Sequence, residues 1–177
     1  KKTLSRSDAP DPTAWGLHSS LHRLCPHARC AMHVHSTYAT VLASLEDSQL
    51  PPIEQNSAMF FNRYVIDDNY GGLAFEKEGE RCAALFSDPK KKVMIMGNHG
   101  ILVIGHTVAE TFNTLYYFER AAKVYIKALQ TGQKLRILPK KIAERTSRQI
   151  DNFPEQGEKH FAAIKQLLDD SSEDYAQ

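Results

Sequence analysis

Short apolar runs along the chain have the length of buried strands. One covers residues 28–34 and is followed by a serine, and two more cover residues 92–96 and 101–104. Runs of four to eight apolar residues between turn-forming residues are typical of strands buried in a sheet. We therefore expect three strands here, the last two forming a hairpin with Asn98-His99-Gly100 at or near its turn.

Between these runs, apolar residues recur at the spacing of a helix. Asp11-Pro12 supplies a capping carboxylate and a proline for the first turn, so a helix is expected from there to before Pro26. Ser36 is expected to cap a second helix that ends before the double proline at residues 51–52. Further helices are expected over residues 75–86, 107–129, 141–150 and 154–168.

The two ends of the sequence lack this periodicity. Residues 1–10 are polar and basic, and we expect them to form a loop. Residues 169–177 form an acidic tail without apolar anchors, which is expected to be disordered or to depend on a partner. At 177 residues the chain has the size of a single domain with one good core.

Charge and cysteine content exclude several classes of protein. The 22 basic and 21 acidic residues nearly cancel, so neither a nucleic-acid groove nor a membrane-binding face is expected. No apolar run approaches the roughly 20 residues that cross a bilayer. The three cysteines form no CxxC pair, which favours a reduced, cytoplasmic location over a disulfide framework.

Three histidines are the strongest candidates for chemistry. Side chains on a strand alternate between its faces, so His33 and His35 point to the same side, about 6.5–7 Å apart. His99 follows the run 92–96, and Gly100 after it would allow another segment of backbone to approach closely. Three neutral imidazoles with an open fourth position are the ligand set of a catalytic zinc site. The alternative is that each is an ordinary polar residue at a strand end.

Three sequence segments resemble the class II aldolase/adducin family. They are HVHSTYAT at residues 33–40, NHGILVIG at residues 98–105 and the helical TVAETFNTLYYFERA at residues 107–121, and the resemblance extends over about residues 10–140. It implies a three-layer α/β/α fold with a mostly antiparallel central sheet, and a symmetric oligomer, commonly a tetramer. It also implies a divalent metal, Zn²⁺ first and Mn²⁺ or Fe²⁺ as alternatives, bound by His33, His35 and His99.

The resemblance implies two classes of function. The first is a metal-dependent lyase that performs aldol cleavage or decarboxylation on a small hydroxy- or oxo-carbonyl substrate, through an enediolate that the metal stabilises. The second is an adducin-like, non-catalytic interaction module with a vestigial metal site. Adducin heads have lost the three histidine ligands, whereas this chain has all of them.

The sequence departs from the family at the start of its first helix. The sugar-phosphate aldolases have Ser-Ser-Glu where this chain has Pro12-Thr13-Ala14, so the acid/base glutamate is missing. The N-terminal part of the family domain, with its glycine- and threonine-containing phosphate turns, is also expected to be absent. The only diglycine, residues 71–72, lacks a following helix start with basic residues. We therefore expect an unphosphorylated or carboxylate-bearing substrate, with Arg63 as a candidate anion partner.

Two residues are candidates for the remaining catalytic work. Glu54 lies in the loop that passes over the metal pocket in the resembling proteins, and it is the candidate replacement acid/base. Tyr38 follows His35 by three residues and would either line the site or pack on the sheet with its hydroxyl at the rim. For Glu119, within the long helix, the options are a hydrogen bond to a ligand histidine or an ion pair with Lys123.

Overall fold

The described part of the chain, residues 5–71 and 76–171 of a computed structural model, contains seven helices and four strands. Residues 1–4 of the expected loop, Gly72 of the diglycine, the start of the helix expected at 75 and residues 172–177 of the acidic tail lie outside it. The elements are α1 (Pro12–Leu24), β1 (Cys30–Val34), α2 (Thr37–Ala43), α3 (Gln55–Met59), β2 (Tyr64–Asp67), α4 (Glu76–Leu85), β3 (Val93–Met96), β4 (Gly100–Gly105), α5 (Val108–Gln130), α6 (Lys140–Asp151) and α7 (Glu155–Asp170).

The four strands form one sheet in the order β1-β4-β3-β2. β4 pairs antiparallel with both β1 and β3, and β2 pairs parallel with β3. The expected hairpin is confirmed, because Met96 lies opposite Gly100 and only residues 97–99 connect the two strands. The mostly antiparallel sheet agrees with the predicted fold class.

Two hydrophobic clusters cover the two faces of this sheet. Val93 and Ile95 pack with α2 and α5 on one face, whereas Met94 and Met96 pack with α1 and α4 on the other. This alternation follows from the two-residue period of a strand, and all four side chains are fully buried. Helices on both sides of a sheet give the three-layer α/β/α architecture.

The expected helices are present, and their local signals explain most of the boundaries. Asp11 caps α1 through the amide of Thr13, and Gly132 ends the turn after α5 in a left-handed conformation, with φ of 67°. The helix after Ser36 is shorter than expected and ends at Ala43. Asp47 accepts a hydrogen bond from the amide of Gln49, a turn that competes with the helix.

One helix, α3, was not expected from the apolar pattern. Glu54 caps it by accepting hydrogen bonds from the amides of Asn56 and Ser57, and the Ser57 hydroxyl in turn accepts one from the Glu54 amide. This reciprocal capping box stabilises a helix of only five residues. Within the described ranges, no helix combines the length and the apolar composition needed to cross a membrane.

Candidate metal centre

The sheet topology brings the three predicted histidines to one end of the sheet. His33 lies opposite Leu102 in the β1–β4 pair, so the end of β1 is next to the start of β4. His99 belongs to the three-residue connection that leads into β4. Residues more than sixty positions apart in sequence therefore meet at the β3–β4 turn.

The three imidazoles point their Nε2 atoms at one another. The Nε2 atoms of His33 and His35 are 3.2 Å apart, those of His35 and His99 are 3.2 Å apart, and those of His33 and His99 are 3.0 Å apart. In a tetrahedral site with zinc–nitrogen bonds of about 2.0–2.1 Å, ligand nitrogens lie about 3.3–3.4 Å apart. The nearly equilateral triangle of nitrogens thus has the dimensions of one face of such a site.

A hydrogen bond fixes the protonation pattern of His33. Its Nδ1 lies 3.0 Å from the carbonyl oxygen of Ile101, which can only accept, so Nδ1 carries the proton and Nε2 presents its lone pair to the other rings. Burial lowers the pKa of His33 to about 4, which leaves the ring neutral near pH 7. A neutral imidazole held by a carbonyl is the usual state of a metal-binding histidine.

His99 is held by the turn and by an aromatic neighbour. Asn98 before it adopts a left-handed conformation, with φ of 55°, which asparagine tolerates better than most residues. The Tyr70 ring packs 4.5 Å from the His99 ring, centroid to centroid. Burial lowers the pKa of His99 and raises that of Tyr70. Tyr70 lies in an irregular segment after β2, so no periodicity in the sequence signals that it reaches this site.

Gly100 permits the close approach that the sequence predicted. A Cβ atom at this position would lie 2.6 Å from the carbonyl oxygen of Val34 and 2.8 Å from Cδ2 of His35. Both distances are shorter than van der Waals contact. Any side chain here would therefore displace β1 or the His35 ring.

Glu54 has a structural role in addition to its predicted catalytic one. Both of its carboxylate oxygens accept backbone hydrogen bonds at the start of α3. In the described part of the chain, no hydrogen bond joins Glu54 to the three histidines. Its assignment as the acid/base stays a prediction.

Tyr38 packs on the face of the sheet that α2 and α5 cover. Its ring contacts the hydrophobic cluster on that face, and Nζ of Lys123 lies 5.5 Å from the ring centroid. Of the two alternatives that the sequence left open, this arrangement matches packing on the sheet. A catalytic role for Tyr38 stays a prediction.

Arg63 is wrongly placed to be an anion partner at this site. It precedes β2, which runs parallel to β3, so it lies at the opposite end of the sheet from His99. Its guanidinium is buried, and it donates two hydrogen bonds to one carboxylate oxygen of Asp151, at 2.6 and 3.0 Å. A cavity of about 690 Å³ opens beside Arg63, and the three histidines do not line it.

A second group of ligand-type atoms is formed by Asp67, Glu78 and Cys82. The Arg81 guanidinium lies among them and donates to both carboxylates, at 2.6 and 2.8 Å to Asp67 and at 2.5 and 3.1 Å to Glu78. Burial raises the pKa of the Cys82 thiol to about 12, so it remains protonated. This group is an ion-pair network in which arginine supplies the positive charge.

Fold and site together define a three-layer α/β/α domain with three convergent imidazoles at one end of its sheet. The sequence profile described as Class II Aldolase and Adducin N-terminal domain matches residues 1–126. The chain belongs to this family.

Individual relatives differ in how much of their length the chain covers. Rat β-adducin is 30% identical over 125 residues, which are 69% of this chain and 16% of that protein. Decarboxylase NovR of Streptomyces niveus is 26% identical over 138 residues, 77% of this chain and 50% of that protein. The crystal structure of an aldolase II superfamily protein from Pseudomonas syringae superposes with a TM-score of 0.83 at 27% identity, covering 93% of this chain and 66% of that one. The chain therefore spans half or less of these two curated relatives.

Proposed function

We propose that the chain provides the metal centre of a divalent-metal-dependent lyase that acts on a small hydroxy- or oxo-carbonyl substrate. The observation that carries this proposal is the triangle of Nε2 atoms with sides of 3.0 to 3.2 Å. Family membership and the likeness to decarboxylase NovR support a lyase, and aldol cleavage and decarboxylation are the two candidate reactions.

Each histidine has a defined part in this proposal. His33, His35 and His99 would hold the ion, and three imidazole nitrogens suit zinc first and also manganese or iron. The bound ion would supply a Lewis acid for the negative charge that develops when a bond to a carbon next to a carbonyl breaks. Among the described residues, the histidine cluster includes no carboxylate, so a further coordination position is left for a substrate.

The start of α1 supports an unphosphorylated or carboxylate-bearing substrate. Ala14 has no acid, Pro12 has no amide proton, and the Thr13 hydroxyl donates a hydrogen bond to Asp11. A phosphate group needs several donors around it. The sugar-phosphate aldolases carry Ser-Ser-Glu in this segment. Here the one hydroxyl, that of Thr13, is bound to the carboxylate that caps the helix.

Metal analysis of single alanine variants tests the centre. Wild-type protein is expected to bind about one ion per chain, and His33→Ala, His35→Ala and His99→Ala are each expected to fall well below that. His106→Ala is the matched control, because His106 is exposed and lies beyond the other end of β4. Stoichiometric metal in all three site variants would refute the proposal.

Turnover measurements test the substrate class. Phosphorylated aldols, their dephosphorylated forms and oxo acids would be compared at equal concentration with metal-loaded protein. We expect the unphosphorylated or carboxylate-bearing compounds to be preferred. A hundredfold preference for a phosphorylated aldol, about 2.7 kcal/mol of transition-state binding, would contradict this.

An adducin-like, non-catalytic module is the second candidate. The 30% identity to rat β-adducin and the alanine at position 14 favour it. It predicts stoichiometric metal without turnover of any compound in the screen. A protein carboxylate that completes the coordination of the ion would also favour this candidate over an enzyme.

A further inference from the structure

The three histidines are not held in place by the same means. His33 is fixed by its hydrogen bond to Ile101, and His99 by its turn and by the Tyr70 ring. His35 is exposed, and within residues 5–71 and 76–171 its Nδ1 has no hydrogen bond. The position of the His35 ring therefore depends on the backbone that carries it.

That backbone is attached to α5 by a single carboxylate. Glu119 accepts hydrogen bonds from the Ser36 hydroxyl at 2.8 Å, from the Tyr38 amide at 2.9 Å and from the Ala39 amide at 2.8 Å. Ser36 is the N-terminal cap residue of α2, yet its side chain does not cap its own helix. The amides that a local cap normally satisfies are instead bound by a residue from another helix.

Glu119 thus does neither of the two things that the sequence suggested. Its carboxylate has no hydrogen bond to a histidine and no ion pair with Lys123 among the described residues, and all of its hydrogen bonds are to the start of α2. The residue that follows His35, Ser36, and two residues of the first turn of α2, Tyr38 and Ala39, are thereby tied to α5. That helix is anchored in the core, since Phe118 beside Glu119 is fully buried.

We propose that Glu119 is a positioning residue for His35. By fixing the first turn of α2 to α5, it sets where β1 ends and where the His35 Nε2 atom lies relative to those of His33 and His99. This rests on the proposed function in so far as the three nitrogens bind a metal ion. The anchoring itself is a property of the metal-free protein.

Zinc affinity of Glu119→Gln is the first test, measured by competition with a chromophoric chelator. The amide keeps the size of the side chain but has one acceptor oxygen for three donors. We expect affinity to fall about 10- to 100-fold, the usual effect of losing a residue that orients a metal ligand. Glu110→Gln is the control, because Glu110 lies on the same helix and binds the His106 amide and Lys92, at the far end of the sheet. Its zinc affinity is expected to stay within about threefold of wild type.

Hydrogen exchange on the metal-free proteins is the second test, and it does not depend on zinc. Exchange of the Tyr38 and Ala39 amides is expected to accelerate in Glu119→Gln and to remain unchanged in Glu110→Gln. If wild-type protein binds no zinc, the proposed function fails, and the exchange result still decides whether Glu119 holds the turn.

A milder variant covers the case in which Glu119→Gln does not fold. Ser36→Ala removes one of the three hydrogen bonds and leaves the carboxylate in place, so a smaller loss of zinc affinity in the same direction is expected. Wild-type zinc affinity in both Glu119→Gln and Ser36→Ala would overturn the proposal. Unchanged exchange at Tyr38 and Ala39 in Glu119→Gln would overturn it as well.

Discussion

Gly100 is the residue at which β1 and the hairpin turn come closest. Replacement by alanine would place a methyl group 2.6 Å from the Val34 carbonyl oxygen and 2.8 Å from His35 Cδ2. We expect Gly100→Ala to lose about 1–3 kcal/mol of stability, as overpacked sites do, and to weaken metal binding because His35 must move. Urea unfolding and chelator competition measure the two effects.

Gly132→Ala is a suitable control for that variant. Gly132 has a φ of 67° and nothing within 4 Å of an added Cβ, so alanine is strained there without touching another group. A loss of about 1–2 kcal/mol with unchanged metal affinity is expected. If Gly100→Ala behaved in the same way, its effect would be on stability alone.

Glu54 allows its two assigned roles to be separated. Glu54→Gln keeps one acceptor for the cap but cannot transfer a proton, whereas Ser57→Ala removes the other half of the capping box and leaves the acid in place. We expect both variants to lose about 0.5–2 kcal/mol of stability and to retain metal. Steady-state turnover then separates the two roles. A large loss of turnover in Glu54→Gln but not in Ser57→Ala would identify Glu54 as an acid/base, whereas similar turnover in both variants would identify it as a helix cap only.

At the level of residues, the sequence could identify the three candidate ligands but not the residues that hold them in place. His33 and His35 follow from the alternation of a strand, and His99 from the resemblance of its segment. Tyr70 and Glu119 reach the site through the arrangement of loops and helices that are distant in sequence. No local period encodes such contacts, so they became visible only in the folded chain.

Among the elements, β2 and α4 are joined by the ion pair between Asp67 and Arg81. The Asp67 side chain is 1% exposed, so removal of its partner leaves a buried charge. Since Arg81 itself is 34% exposed, we expect Arg81→Gln to cost about 2–4 kcal/mol, somewhat less than a fully buried pair. Equilibrium unfolding in urea measures this loss.

The exposed pair between Arg23 and Glu80 provides the comparison, because it joins α1 to the same helix. Its side chains are 53% and 47% exposed, and solvent screens their attraction. Arg23→Gln is expected to change stability by less than about 1 kcal/mol. If Arg81→Gln and Arg23→Gln lost equal free energies of unfolding, burial would not strengthen the contribution of the Asp67–Arg81 pair.

Some helices and strands could be predicted from the apolar pattern of the sequence, and others could not. Helices with long apolar stripes, such as α5, and strands with continuous apolar runs were found where the sequence predicts them. The early end of α2 and the presence of α3 depend on hydrogen bonds of single side chains, at Asp47 and Glu54. The order of the strands depends on contacts across the whole chain, and neither the apolar pattern nor the family resemblance predicted it; the resemblance predicted only that the sheet is mostly antiparallel.

For the whole molecule, the resemblance predicts a symmetric oligomer, commonly a tetramer. In the stretch Tyr116-Tyr117-Phe118, Phe118 is buried in the core, whereas Tyr116 is 37% exposed and lines a groove of about 500 Å³ between α5 and the end of β1. Light scattering is expected to give a multiple of the 20.0 kDa chain mass. Only monomer at micromolar concentration would count against this assembly.

The exposed Tyr116 gives that prediction a specific test. Tyr116→Glu is expected to shift the population towards monomer if this face lies between subunits. Leu167→Glu is the control, because Leu167 is an exposed apolar residue on α7, at 65% exposure. The same mass for wild type and both variants would exclude this face as the contact.

The placement of the three histidines at the end of β1 and on the hairpin turn also bears on the order of events during folding. His35 and His99 are separated by 64 positions, and closing a loop of that length in an unstructured chain costs about 4 kcal/mol. In the proposed site, an ion would therefore meet all three nitrogens only after β1 has joined β4. An ion held by the proposed site would fasten the edge strand β1 to the β3–β4 turn, and we expect it to slow fraying of β1 from the sheet.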